Sequence, residues 1–196
     1  MKKNIILTTI CLLFYLLGFS QFDLYSRGKL KAKNHDYKGA IVEFEKALEK
    51  YPDSAEIHNS KGSAFYYLNE FGGALLEFNK AIVLKPDLIE SYVNRANSRI
   101  LLHDFDGAIA DYSKAITLNS LNAEVYLFRG NVFNELKEYK KAIVDYTKAI
   151  EINTNYSEAY TNRGNAKNSL NDVNGACSDW NKASLLLGSQ INGGKK

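Results

Sequence analysis

The chain contains few of the residues on which metal-binding and disulfide-bonded folds depend. Only two cysteines, Cys11 and Cys177, occur in its 196 residues. This excludes a disulfide framework and the clustered cysteines of structural zinc sites. The three histidines, His35, His58 and His103, are far apart in the sequence, and no phosphate-binding loop or nucleophile elbow is present. The sequence therefore predicts a protein that is not an enzyme, with no catalytic residues, no metal and no cofactor.

An excess of charge of one sign is also lacking, and proline is scarce. The chain has 25 basic and 22 acidic residues, a balance that gives no electrostatic footprint for nucleic acid or an anionic membrane. The two prolines, Pro52 and Pro86, are each followed by a predicted helix, so they indicate where the previous helix stops. Composition thus gives no support for a nucleic-acid-binding class.

A long apolar run occurs only at the N-terminus. Lys2 and Lys3 precede an uncharged, mainly apolar stretch over residues 5–19. This order is typical of a secretory signal peptide, with cleavage expected after Ser20. The alternative is an uncleaved membrane anchor, although a spanning helix needs roughly 20 apolar residues. We therefore expect an exported bacterial protein, periplasmic or secreted, whose mature chain is not inserted in a membrane and keeps Cys177 as its only cysteine.

What the sequence does contain is a repeat of 34 residues. Alanine recurs at this interval at Ala40, Ala74, Ala108, Ala142 and Ala176. A period of this size indicates an array of supersecondary units rather than one globular core. The windows divide the chain, without any insertion, into units 21–54, 55–88, 89–122, 123–156 and 157–190, here called repeats 1 to 5, and leave 191–196 as a predicted flexible tail.

Each repeat carries the pattern of two helices joined by a short turn. Position 8 of the repeat is always glycine or alanine, whereas positions 17, 20, 24 and 27 are almost always apolar or aromatic and follow one another at helical spacing. The turn between the two helices contains an acid or an amide. The large residues at position 24 are Phe44, Phe78, Tyr112, Tyr146 and Trp180. A small residue opposite such a side chain allows two helices to approach closely.

These residues resemble the tetratricopeptide repeat (TPR) family, and the resemblance extends from Gln21 to about Gln190. The resemblance implies an all-α fold, a right-handed α-solenoid (superhelix) of five helix-turn-helix units. In this family the first helices line a concave groove that holds an extended or helical segment of another protein. The groove positions that the resemblance implies are 2, 5, 6, 9, 12 and 13 of each unit.

Amide and apolar side chains occupy many of these groove positions. Asparagine recurs there although it is only a middling helix former, and its carboxamide offers both donors and an acceptor to a peptide backbone. The alternative is composition, because the chain contains 20 asparagines. The predicted groove residues are Asn59, Tyr66, Tyr67, Asn94, Asn97, Leu127, Phe128, Asn131, Asn134, Asn162, Asn165 and Asn168, together with Val93, Ile100 and Leu101 as further apolar candidates.

Basic residues recur at position 7 as Arg27, Lys61, Arg95, Arg129 and Arg163. They are interpreted as scaffold residues whose stems lie along packed helices and whose charges pair with nearby acids. At the other end of the array, the face near Cys177, Trp180 and Leu185 has no following unit to cover it. Either this face forms a docking surface or a homodimer seam, or Trp180 and its neighbours pack inside their own repeat.

The sequence thus predicts a non-enzymatic scaffold that binds a segment of another protein in the groove of a TPR array. The alternative is a structural component of a cell-envelope or secretion complex that assembles through the array ends or the convex face.

Overall fold

The computed structural model describes residues 24–193, and every regular element in that range is an α-helix. The predicted signal peptide over residues 1–20 lies outside the described residues. In chain order the helices are α1 (24–33), α2 (Tyr37–Lys50), α3 (Ala55–Tyr67), α4 (Phe71–Leu84), α5 (Ile89–Leu101), α6 (Phe105–Leu118), α7 (Ala123–Glu135), α8 (Tyr139–Ile152), α9 (Ser157–Ser169) and α10 (Val173–Gly193).

The described residues divide into two compact units, 24–98 and 99–193. The core of the first unit contains Phe44 and Ile57, with partly buried apolar side chains of α1 and α2 packed against it. The core of the second unit contains Leu127, Tyr146 and Ile150. In both units the buried residues of the second helices are spaced three or four residues apart, as the repeat pattern predicts.

Glycine at position 8 allows the two helices of a repeat to touch. A Cβ atom added at Gly62 would lie 2.7 Å from the ring of Phe78, and one added at Gly130 would lie 2.7 Å from the ring of Tyr146. Both distances are shorter than any van der Waals contact. The position-24 ring therefore occupies the space that a side chain at position 8 would need.

The turn inside each repeat is built around one residue in the left-handed conformation. His35, Asn69, His103, Lys137 and Asn171 all have φ between 59° and 63°. The two amides that follow the first helix donate back to its last turn, for example from His35 N to Ala32 O at 2.9 Å and from Asp36 N to Lys31 O at 2.9 Å. This is the Schellman type of helix ending. In repeats 1, 3 and 5 the aspartate that follows then caps the second helix, as Asp36 Oδ1 accepts from Gly39 N at 2.9 Å. In repeats 2 and 4 a glutamate stands at this position and makes no such bond.

The last helix differs from the sequence-based expectation. α10 has 21 residues, whereas the second helices of the preceding repeats have 14. Residues 191–193, predicted to belong to a flexible tail, are therefore helical. No helix break precedes them, since the two prolines of the chain lie in repeats 1 and 2.

Candidate functional site: the surface of the first helices

The candidate site is the exposed side of the first helices within each compact unit, α1, α3 and α5 in the first unit and the end of α5, α7 and α9 in the second, here called the first-helix surface. All twelve predicted groove residues are on these helices. The contacts show which predicted residues hold the repeats together and which remain exposed to a ligand.

In the first unit, the amides of neighbouring repeats bind each other. Asn94 Nδ2 donates to Asn59 Oδ1 at 3.2 Å, and Ser91 Oγ donates to the same oxygen at 3.1 Å. Asn94 Nδ2 also lies 3.4 Å from Ser63 Oγ. The amide protons of Asn94 are thus directed at repeat 2, so Asn94 joins two repeats rather than presenting its donors to a ligand.

Tyrosine side chains form an aromatic cluster at the surface of the first unit. The Tyr67 side chain is 60% exposed, and its ring stacks on that of Tyr37 with centroids 4.9 Å apart and planes 12° apart. The Tyr66 ring stands nearly perpendicular to the Tyr67 ring, at 5.5 Å and 83°. These rings border a cavity of about 80 Å³ whose lining residues are Ser63, Tyr66, Tyr67, Phe78, Asn94 and Asn97. The two predicted tyrosines therefore lie at the surface beside two of the predicted asparagines.

In the second unit, asparagine at position 9 accepts a hydrogen bond from the position-24 side chain of the same repeat. Tyr146 OH donates to Asn131 Oδ1 at 2.9 Å, and Trp180 Nε1 donates to Asn165 Oδ1 at 3.0 Å. Asn131 Oδ1 also accepts from Asn162 Nδ2 of the next repeat at 3.0 Å. These contacts assign Asn131, Asn162 and Asn165 at least one internal hydrogen bond each.

The sequence of the other repeats agrees with this pairing. Repeats 1 and 2 have phenylalanine at position 24, which cannot donate, and there position 9 is Lys29 or Ser63 instead of asparagine. Repeat 3 combines Tyr112 with Asn97, as repeat 4 combines tyrosine with asparagine. The asparagines at position 9, here called the asparagine row, therefore match the hydrogen-bonding needs of the position-24 residue.

The remaining predicted residues have different surroundings. Leu127 is fully buried at 0% exposure in the core of the second unit, so it has no surface to offer and is removed from the candidate groove residues. Phe128 is half-buried, with its ring centroid 6.0 Å from that of Tyr112. Asn134 is half-buried and Asn168 is exposed. Burial thus separates the core-facing side of the first helices from the side a partner can reach.

A larger cavity lies on the first-helix surface of the second unit. Its volume is about 430 Å³, and the residues that line it are Ile100, Leu101, His103, Phe105, Asn131, Val132 and Glu135. Four of these seven side chains are apolar. Ile100 and Leu101 are predicted groove residues, whereas His103, Phe105 and Glu135 come from the turn, the start of the next helix and the end of α7, which the predicted groove residues did not include.

A row of buried acids at position 23 was missed by the sequence analysis. Glu43, Glu77, Asp111, Asp145 and Asp179 are all buried, with exposed fractions of 7% or less. Arg129 binds Asp145 through two nitrogens, at 2.8 and 2.7 Å, and Arg163 binds Asp179 in the same manner at 2.9 and 2.6 Å. This confirms the interpretation of these two arginines as scaffold residues. The recurrence of an acid every 34 residues was the available signal.

The basic residue at position 7 also reaches the preceding repeat. Arg129 Nη1 donates to Ser113 Oγ at 2.9 Å, and Arg163 Nη1 donates to Thr147 Oγ1 at 3.1 Å. Lys61 lies 3.0 Å from Glu45 in the same way. Each of these cations therefore joins the second helix of one repeat to the first helix of the next.

Electrostatics within these clusters favour the charged forms. Burial by itself raises the pKa of the Asp179 carboxyl, but hydrogen bonds from Arg163 and Lys167 outweigh it and hold that pKa below its ordinary value. The hydrogen bond to Asp145, partly opposed by desolvation, raises the pKa of Arg129. These charged side chains are paired within the scaffold and are therefore not available to a ligand.

His58 has a structural role in repeat 2. Its Nε2 donates to the Pro52 carbonyl oxygen at 2.9 Å, and its Nδ1 lies 2.6 Å from Glu77 Oε2. Tyr92 OH makes the equivalent bond to the Pro86 carbonyl at 3.1 Å, so His58 replaces the tyrosine of repeats 3 to 5. Burial by itself raises the pKa of the Glu77 carboxyl. The hydrogen bond with His58 and the neighbouring lysines outweigh burial, so the net pKa of Glu77 lies below its ordinary value.

Among the residues that the structure describes, no group of three or more His, Cys, Asp and Glu side chains is arranged to hold a metal ion. His35 and His103 occupy the left-handed turn positions. No helix within residues 24–193 combines the length and the apolar character needed to cross a membrane. Trp180 is bonded to Asn165 and packed against Gly164, so it belongs to its own repeat, whereas Cys177 is exposed.

Comparison with protein-family models gives three matches. The model described as "Tetratricopeptide repeat" matches residues 25–89, a second model with the same description matches residues 89–120, and the model described as "TPR repeat" matches residues 130–171. Comparison with curated protein sequences gives no match.

Solved structures with the same fold are numerous. A crystal structure of MamA is 25% identical with a TM-score of 0.80, over 84% of this chain and 96% of that one. MamA from Desulfovibrio magneticus RS-1 is 16% identical with a TM-score of 0.79, over 87% and 97% of the two chains. YrrB, described as a TPR protein with an unusual peptide-binding site, is 16% identical with a TM-score of 0.70, over 83% and 84%.

The all-helical structure and these similarities confirm the predicted fold class, an α-solenoid of helix-turn-helix repeats. The three family models together cover most of the region in which the 34-residue pattern is found. The chain belongs to the tetratricopeptide repeat family.

Proposed function

We propose that the chain is a non-enzymatic scaffold that binds an extended or helical segment of another protein along its first-helix surface. A fold of tetratricopeptide repeats is typical of protein interaction rather than catalysis. The observation that carries the proposal is the exposure of Tyr67 and Leu101, at 60% and 47%, on the first helices beside the two cavities. The peptide-binding site named for YrrB supports the same class of function by analogy.

The energetics favour apolar contacts as the main source of affinity. Micromolar binding requires about 8 kcal/mol, and a net hydrogen bond contributes only about 0.5 to 1.5 kcal/mol. Several of the asparagine donors and acceptors are already used between repeats. Burial of a tyrosine or leucine side chain contributes about 1.5 to 3 kcal/mol, so a few exposed side chains on this surface suffice.

The test compares two double variants with matched exposure. Tyr67→Ser/Leu101→Ser changes the first-helix surface, and Leu76→Ser/Val144→Ser changes second helices at side chains that are 56% and 67% exposed. Each protein is used to capture partners from extract of the native cell, after circular dichroism has shown equal helicity. A partner lost only with the first variant is expected. Loss only with the second variant would contradict the proposal and favour the outer face.

A structural role in a larger assembly is the second candidate, and the exposure of α10 favours it. Leu185 is 71% exposed and Cys177 is exposed on this helix. If this face assembles copies of the chain, light scattering after size exclusion will show a mass that increases with concentration and falls to the monomer in Leu185→Ser. A monomer at all concentrations would remove homodimerisation through repeat 5.

We also propose export from a bacterial cell, on the basis of the charged start and apolar run of residues 1–20. Expression of the full chain followed by fractionation and intact-mass measurement tests this. An exported chain that begins at Gln21 is expected. A full-length chain held in the membrane fraction would indicate an uncleaved anchor instead.

A further inference from the structure

The cavity of about 430 Å³ in the second unit has the size of a ligand pocket, since such pockets range from roughly 300 to 1,000 Å³. Its apolar lining comes from Ile100 and Leu101 at the end of α5, Phe105 at the start of α6 and Val132 on α7. Val132 is buried, Ile100 and Phe105 are half-buried and Leu101 is exposed. The cavity therefore has a buried apolar side and opens to solvent.

An acid without a cation lies beside this apolar surface. Glu135 lines the cavity and is exposed, and within residues 24–193 it has no ion pair. The neighbouring acid Asp104 is already occupied, because it caps Gly107 N at 3.0 Å and lies 3.3 Å from Arg99 Nε. Arg99 in turn binds Asp111 at 2.7 Å. Of the acids considered at this cavity, Glu135 is thus the one whose negative charge is available to a ligand.

No other pair of repeats places the same residues together. Positions 12 and 13 are Tyr66-Tyr67 in repeat 2, Ile100-Leu101 in repeat 3, Asn134-Glu135 in repeat 4 and Asn168-Ser169 in repeat 5. Only repeat 3 provides two aliphatic side chains at these positions, and only repeat 4 provides an acid. The cavity of the first unit, lined by tyrosines and amides, has only about 80 Å³.

The geometry points to a partner segment that combines a bulky apolar residue with a lysine or arginine. The apolar side chain enters the cavity against Ile100, Leu101 and Val132, and the cation, one to four residues away in the segment, pairs with Glu135. This inference rests on the proposed function and specifies the chemistry of the segment. A surface ion pair of this kind contributes little affinity but decides between basic and acidic partners.

An array of synthetic hexapeptides tests the inference directly. Each peptide carries one Leu, Ile, Phe or Met, and Lys, Arg, Glu or Ser at each flanking position. The array is probed with the full chain, with Glu135→Lys and with Leu101→Ala. Glu49→Lys and Leu76→Ala, which change exposed residues of second helices, serve as matched controls.

The expected result is a preference of at least tenfold for peptides with an apolar residue next to a cation. Glu135→Lys should reverse this preference toward acidic peptides, Leu101→Ala should weaken all of them at least threefold, and the two controls should bind as the native chain does. Equal binding of basic and acidic peptides, or an unchanged preference in Glu135→Lys, would overturn the inference.

The same array separates this inference from the proposed function. Peptides that bind without charge preference, and that are lost in Tyr67→Ser/Leu101→Ser, would leave the first-helix surface as a binding site while refuting the role of Glu135. Absence of binding to every peptide, or binding that no first-helix variant changes, would refute both.

Discussion

Replacement of Asn131 by alanine tests whether the asparagine row belongs to the scaffold. Asn131 Oδ1 accepts from Tyr146 OH at 2.9 Å and from Asn162 Nδ2 at 3.0 Å. Tyr146 is only 1% exposed, so its hydroxyl has no access to bulk water once this acceptor is removed. We therefore expect Asn131→Ala to destabilise the fold, whereas an asparagine reserved for a ligand would be replaced without loss.

The magnitude follows from the two bonds. Loss of the bond from Asn162 costs about 0.5 to 1.5 kcal/mol, and loss of the bond from the buried Tyr146 hydroxyl costs about 1 to 3 kcal/mol. We expect Asn131→Ala to lower the free energy of unfolding by about 2 to 3 kcal/mol. Tyr146→Phe removes only the donor, in a position that Phe44 and Phe78 fill in other repeats, so about 1 kcal/mol is expected.

Thermal unfolding followed by circular dichroism measures the difference. For a chain of this size 1 kcal/mol corresponds to about 2 to 4 °C in Tm, so Asn131→Ala should lower Tm by about 4 to 12 °C. Asn168→Ala, an exposed asparagine of the same surface, is the control and should change Tm by less than about 2 °C. The double variant Asn131→Ala/Tyr146→Phe should be more stable than the sum of the single losses predicts, because no hydroxyl is then orphaned.

Two results would refute the reasoning. If Tm of Asn131→Ala equals that of the Asn168→Ala control, the hydrogen bond to Tyr146 does not stabilise the repeat. If the double variant shows strictly additive losses, the two side chains do not interact. Either result would return Asn131 to the residues available for a ligand.

Three further outcomes are expected. Lys137→Gly should raise stability by about 0.5 to 1 kcal/mol, because Lys137 has φ of 59° in its turn, and a lower Tm would contradict this. Burial and nearby glutamates raise the pKa of Tyr156 to about 12. Its contribution to stability is therefore complete below pH about 10, the pKa of tyrosine in the unfolded chain, and is lost as the pH rises toward 12. The free energy of urea unfolding should therefore change less between pH 9 and pH 11 in Tyr156→Phe than in the native chain. Gly164→Ala should cost about 1 to 3 kcal/mol in urea unfolding, since its Cβ would lie 2.7 Å from Trp180 Nε1, whereas Gly72→Ala, with nothing within 4 Å, should not destabilise.

The helix pairs and their turns could be predicted from sequence because their causes are local or strictly periodic. Alanine and aromatic residues at positions 20, 24 and 27 form one helical face, and glycine at position 8 leaves room for the position-24 ring. Residues 191–193 were expected to belong to a tail but continue α10, since glycine weakens a helix by only about 1 kcal/mol per residue.

The candidate site was predicted only in part. Tyr66, Tyr67 and Leu101 do lie on the first-helix surface beside the cavities. Leu127 is buried, because position 5 of that helix faces the core of repeats 4 and 5. An asparagine or a leucine at a groove position does not by itself indicate which neighbouring side chain it will contact. The cavity between α5 and α7 also depends on residues from the turn and from α6, which share no helical face with Ile100.

The sequence alone determined the 34-residue pitch, the two helices of each repeat, the turn positions and hence the fold class, because close packing of identical units requires the same small and large residues at each repeat. Only the tertiary structure decided which polar side chains bind each other within and between repeats and which remain exposed. That outcome depends on distances across neighbouring helices: Asn131, Arg129 and Asp145 are bonded to partners 15 to 31 residues away, whereas Glu135 is left without one in the described chain. Complementarity of this kind is a property of the packed surface and is invisible in the periodicity of the chain.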